Sequence, residues 1–138
     1  MADATRDTGA TRHQSRERAL SLLYEAEMKG VEPAEVLAAL PVAPDPFARA
    51  LVEATAAQRV RADELITDAA VGWPLDRMAV VDRLVLRMAV AELLDAHGPP
   101  VAVILDEAVE LAKTYSTDES GRFVNGVLST VAAQTRPG

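Results

Sequence analysis

Residues 78–98 read MAVVDRLVLRMAVAELLDAHG, and no other stretch limits the possible folds as strongly. Read as a helix, its apolar residues surround almost the whole circumference. Such a helix has no face to leave in water and must be enclosed by other elements. The rest of the chain predicts that those elements are helices too. No stretch keeps a two-residue apolar alternation bounded by hairpin turns, so strand signals are nearly absent.

Start and stop signals divide the remainder. Thr11-Arg12-His13-Gln14 can form a capping box that opens a helix running to Lys29 and stopping at Gly30. Its core stripe is Ala19, Leu22, Leu23 and Ala26. Pro33 suits the first turn of a short helix through Leu40. Asp45, with Pro46 behind it, predicts one long helix to about Ala70. Gly72-Trp73-Pro74 breaks the chain, and Gly98-Pro99-Pro100 ends the central apolar helix. VAVILDEAVELAKTY (101–115) is two-faced, with Asp106, Glu107, Glu110, Lys113 and Thr114 on its polar arc. Ser116-Thr117-Asp118-Glu119 is a second capping box, predicted to open a last helix through FVNGVL to about Gln134. The fold class is all-α, one domain over residues 11–134, with a flexible tail over 1–10 and halves meeting near 72–73.

The 138 residues contain no cysteine. Disulfides, thiolate zinc sites and thiol catalysis are excluded, and a reducing, cytoplasmic setting is expected. No apolar run approaches the ~18 residues of a membrane span. The start MADATRDTGATR lacks the apolar core of a signal peptide. Net charge is −7, which argues against a general nucleic-acid binder. Distribution matters more than the sum, however. RHQSRER (12–18) sets Arg12, Arg16 and Arg18, with His13, against Glu17 alone.

Chemistry-bearing constellations are few. Asp106 and Glu110 share a helix face, but a dicarboxylate metal site in a bundle needs inward-facing acids and a Glu-x-x-His partner. A solvated polar face is the expectation, with no metal and no cofactor. No phosphate-cradling glycine loop, nucleophile elbow or zinc motif occurs, so the chain is not expected to be an enzyme. His97, just before Gly98, reads as a cation at a helix C-terminus.

Arg12 and Arg16 lie one helical turn apart, with Tyr24 two turns beyond. Arginines at an exposed helix start can grip phosphates, and a nearby aromatic can stack on an unpaired base. A solvated helix end is the plainer alternative. In FVNGVL, Val124, Val127, Leu128 and Val131 form the buried stripe. Phe123 falls at its edge and Arg122 points further toward solvent. That pair reads equally as a stacking plate with a phosphate clamp, or as a Phe packed on a neighbouring helix. Gly126 costs a helix about 1 kcal/mol against alanine, which predicts close approach of another helix. Asn125 is expected to make a polar bond near the helix start.

Five blocks in order, RHQSRERALSLLYEAEM, WPLDR, VDRLVLRMAVAELL, VAVILDEAVELAKTYS and RFVNGVL, resemble the NusB family of bacterial transcription antitermination factors. The resemblance covers nearly the whole chain and implies about seven helices in two packed helical-bundle subdomains. It implies binding of single-stranded boxA RNA in ribosomal RNA transcripts, together with a small-subunit ribosomal protein, NusE. Through that complex it implies contact with RNA polymerase and other Nus factors. Some family members self-associate, so a homodimer is among the assemblies it admits. The RNA-binding residues it points to are Arg12, His13, Arg16, Tyr24, Arg122 and Phe123. For the protein partner it points to Asp82 and Arg83 as exposed residues of the middle helix. This sequence has His13 and Gln14 where the family often has arginines, so weak RNA binding without the partner is expected. Two rival readings are a NusB-like domain fused to a ribosomal RNA methyltransferase, for which 138 residues leave no expected room, and a helical module that binds only protein.

Overall fold

The structure is a computed structural model that describes residues 11–137; the expected tail over 1–10 lies outside the described residues. Seven α-helices are present among them, with no strand. They are α1 (Arg12–Lys29), α2 (Pro33–Ala39), α3 (Pro46–Ala57), α4 (Arg59–Ala69), α5 (Val80–Leu94), α6 (Val101–Tyr115) and α7 (Ser120–Thr135), with a 3-10 turn at Leu75–Arg77.

Local chemistry explains most boundaries. Thr11 Oγ1 accepts from Gln14 N while Gln14 Oε1 accepts from Thr11 N, so the first capping box forms in full. Gly30 ends α1 in the left-handed conformation at φ 67°, which glycine adopts without a Cβ penalty. Asp45 caps α3 through Ala48 N at 3.0 Å and also accepts from Ser15 Oγ at 2.8 Å, which ties α3 to the start of α1.

The long helix expected from Asp45 to Ala70 is two helices. Gln58, at ψ 9°, bends the path between α3 and α4. The bend keeps its hydrogen bonds, since Gln58 N reaches Ala54 O and Ala62 N reaches Gln58 O. No glycine or proline announces it. The second capping box also differs from expectation. Thr117 and Ser120, not Ser116 and Glu119, bond each other's backbone N–H through their hydroxyls.

α5 is the centre. Every residue from Leu84 to Leu93 is buried, including Arg87 and Glu92, and α1, α3, α4, α6 and α7 all pack on it. Burial of each Leu, Val or Met here is worth about 1.5–3 kcal/mol. Arg87 is tolerated because Asp63 of α4 accepts two of its N–H groups, at 2.7 and 3.0 Å. The buried hydrophobic residues are Ala, Val, Leu, Ile and Met only; none of the five aromatic side chains is among them. No described helix is long and apolar enough to cross a membrane.

Candidate nucleic-acid interface

The start of α1 is a closed ionic knot. Arg16 is only 3% exposed, and Glu92 of α5 accepts its Nε at 2.9 Å and its Nη2 at 2.8 Å. The expectation of an exposed Arg16 is thus corrected. It precedes Ala19, Leu20 and Leu23 by three, four and seven residues, which is the spacing of the core face. Burial is the largest influence and works against its charge, but the Glu92 hydrogen bonds and the negative charges of Glu92 and Glu107 together outweigh it, and the pKa is raised. Arg16 Nη1 also lies 3.7 Å from Glu107 of α6.

His13 sits above this pair. Its Nδ1 meets Glu107 Oε1 at 2.9 Å and its Nε2 lies 3.5 Å from Glu17. The Glu107 hydrogen bond raises the imidazole pKa above its ordinary 6.5. Glu107 therefore serves the knot instead of the solvated face assigned to it; Asp106 and Glu110 are exposed. Arg12 is exposed and lays its guanidinium over the Phe47 ring at 4.3 Å, with the Arg16 guanidinium carbon 5.2 Å from the same ring.

Tyr24 does not join the arginines. It is 42% exposed and lines a groove of about 460 Å³ with Leu20, Val81 and Tyr115. Tyr115 OH donates to Glu17 at 2.6 Å, which raises its own pKa.

The start of α7 is more open. Arg122 is exposed and Phe123 is half-buried. The Phe123 ring meets Trp73 edge-on, with centroids 6.4 Å apart and planes at 62°. Asn125 and Gly126 face solvent, and a Cβ on Gly126 would meet nothing within 4 Å. The close approach expected there belongs to Gly121, where a Cβ would sit 2.8 Å from Lys113 Cγ and 3.3 Å from Val109 Cγ1.

Asp82 and Arg83 were expected to be exposed and are not. Asp82 lies on the inner face of α5, 8% exposed, and accepts from Ser120 Oγ at 3.0 Å. Its Oδ1 is buried with no hydrogen-bond partner among the described residues. Arg83 is mostly covered, donating to Leu75 O at 3.0 Å and to Glu27 at 3.3 Å. Sequence reasoning missed Phe47, Trp73, Tyr115, Glu92 and Glu107. The aromatics carried one signal, being scarce in a chain with ample aliphatic residues to fill a core.

Among the described residues, no three His, Asp or Glu side chains are grouped to hold a metal. The seven helices around an aliphatic centre, with every aromatic side chain kept outside it, define an all-helical bundle class. The pattern of the NusB family matches residues 13–133, and the chain belongs to that family. It is 48% identical over 126 residues to the transcription antitermination protein NusB of Acidothermus cellulolyticus, covering 88% of this chain and 87% of that one. The solved structure of T. maritima NusB superposes with a TM-score of 0.82 at 32% identity, covering 93% of this chain and 94% of the other. A chain in a crystal structure of the antitermination factors NusB and NusE in complex with dsRNA gives a TM-score of 0.74 at 28% identity, covering 89% and 96%.

Proposed function

We propose that this protein is an RNA-binding transcription antitermination factor, a binding protein and not a catalyst. It recognises boxA-type single-stranded RNA of ribosomal RNA transcripts jointly with a ribosomal protein of the NusE type, and reaches RNA polymerase and other Nus factors through that complex. The observation that carries this reading is the placement of the aromatics. Phe47, Trp73, Phe123, Tyr24 and Tyr115 all stay at least partly outside the core. Arg12 and Arg122 flank two of them. Aromatic plates beside arginines are what unstacked bases and their phosphates require. The likeness to a chain in the structure of NusB and NusE in complex with dsRNA supports RNA binding beside a NusE-type partner.

Phe123 and Arg122 are the direct RNA contacts in this proposal, with Arg12, His13 and Tyr24 at the α1 side. Arg16 acts from beneath by holding Glu92 and Glu107. Asp82 and Arg83 serve the partner contact from beneath in this proposal, Asp82 by fixing Ser120 at the start of α7 and Arg83 by tying α5 to Leu75 and Glu27.

The closed knot at α1 and the charge of −7 favour a second reading, a module that binds only protein. RNA titration with and without the ribosomal partner separates the two. Weak binding alone and tight binding with the partner is the expected result. Equal, negligible RNA affinity in both arms, with the protein complex intact, establishes the second reading instead.

A further inference from the structure

Just beyond α7, Arg136 turns its guanidinium onto the end of α5. Nε donates to Leu93 O at 3.1 Å and Nη1 to Pro99 O at 2.6 Å. Nη2 donates to Glu92 O at 3.0 Å and to Asp95 O at 2.7 Å. All of these acceptors are backbone carbonyls. A helix end leaves its last carbonyls without intrahelical donors, and a cation there also meets the negative end of the helix dipole. One guanidinium thus closes both the last turn of α5 and the turn that leads into α6.

The fit leaves no spare room. A Cβ on Gly98 would lie 3.0 Å from Glu92 O, 3.1 Å from Arg136 Nη2 and 3.1 Å from Asp95 O. Gly98 lets the backbone pass the guanidinium.

Glu92 is the pivot. Its carbonyl is held by Arg136, while its carboxylate holds Arg16. Arg16 neighbours Glu107, which in turn holds His13. The same turn carries His97, which lines a groove of about 450 Å³ with Arg12 and Phe47. We infer that Arg136 is a positioning residue for the α1 side of the RNA surface. It touches no RNA. It sets the register of Glu92, and so of Arg16 and His13, and it shapes the turn that faces Arg12. This rests on the reading that the α1 side meets RNA.

The test uses the full chain with its ribosomal partner, as Arg136→Ala and as the milder Arg136→Gln, which keeps two N–H donors. RNA affinity is measured at matched folded concentration with boxA-type RNA, and the His13 imidazole titration is followed by NMR. For Arg136→Ala, affinity is expected to fall by roughly 2- to 30-fold. The His13 midpoint should move back toward 6.5. Low, non-denaturing guanidinium should restore both in part, while sodium chloride at the same ionic strength should not. Wild-type affinity or a wild-type His13 titration in the folded variant overturns the inference. Failure of added guanidinium to restore either one does so too. If Arg136→Ala does not fold, the same criteria apply to Arg136→Gln. If the wild-type complex binds no RNA, the proposed function falls instead, and the His13 titration alone decides the role of Arg136.

Discussion

Two helix starts in this molecule pair arginine with phenylalanine, and the fold treats them in opposite ways. At the start of α1, Arg16 is sunk against Glu92, while Phe47 serves as a platform for Arg12. At the start of α7, Arg122 reaches water and Phe123 leans on Trp73 with part of its ring uncovered. The difference follows from what lies beneath each. Under α1, α5 brings up a buried carboxylate that demands a cation. Under α7, α5 brings up Asp82, which takes the small Ser120 hydroxyl on one oxygen instead of an arginine. In this molecule the arginine that meets a buried glutamate is structural, and the one that does not faces solvent.

The strongest way to break this comparison is to remove each arginine in turn. Arg16→Ala leaves Glu92 buried and uncompensated, and should cost about 3–5 kcal/mol in urea denaturation. Arg122→Ala should change stability by no more than about 0.5 kcal/mol. It should weaken RNA binding and make the salt slope shallower by roughly 0.7. Similar melting of the two variants would erase the distinction.

Phe123→Ala comes next. A fully buried Phe costs about 3–5 kcal/mol on truncation, and a half-buried one should cost clearly less. RNA binding by the partner complex should lose roughly 1–3 kcal/mol. A full core-sized loss of stability with RNA affinity preserved would make Phe123 a packing residue.

The glycines of α7 sharpen the picture further. Gly126→Ala meets open space and should stabilise the protein by up to about 1 kcal/mol in thermal unfolding. Gly121→Ala forces the Lys113 stem aside and should gain nothing or lose. The reverse order would mean that the helix pair α6–α7 is not packed as described.

The smallest effect is pH-dependent. His13 has a folded pKa raised above 6.5, so its contribution is fully present below 6.5 and is lost as pH rises through the folded value. Wild type should therefore lose stability relative to His13→Ala as pH rises above 6.5. Parallel melting curves of the two proteins across that range would remove the Glu107–His13 contact from the knot.

Helix positions were legible because their causes are local. Thr11 with Gln14, Asp45 with Ala48 and Gly30 each act within a few residues. The aliphatic stripe of α7 was legible for the same reason. The knot was not, because Arg16 and Glu92 are 76 positions apart and no charge pattern names a partner at that distance. The spacing of Arg16 to Ala19, Leu20 and Leu23 did carry its burial, but the basic run around it pointed outward. Asp82 was hidden by a different cause. A helix that is apolar nearly all round gives no polar side from which exposure can be judged. The bend at Gln58 left no mark at all in residue type.

The aliphatic centre has a further consequence. With a single indole in the chain, at Trp73, half uncovered and edge-on to Phe123, intrinsic fluorescence reads the proposed contact surface and hardly senses the interior. The emission maximum should begin red-shifted in the native protein and move little on unfolding. A base that stacks against Phe123 should instead quench it. The molecule thus carries its own optical reporter of complex formation, without any label.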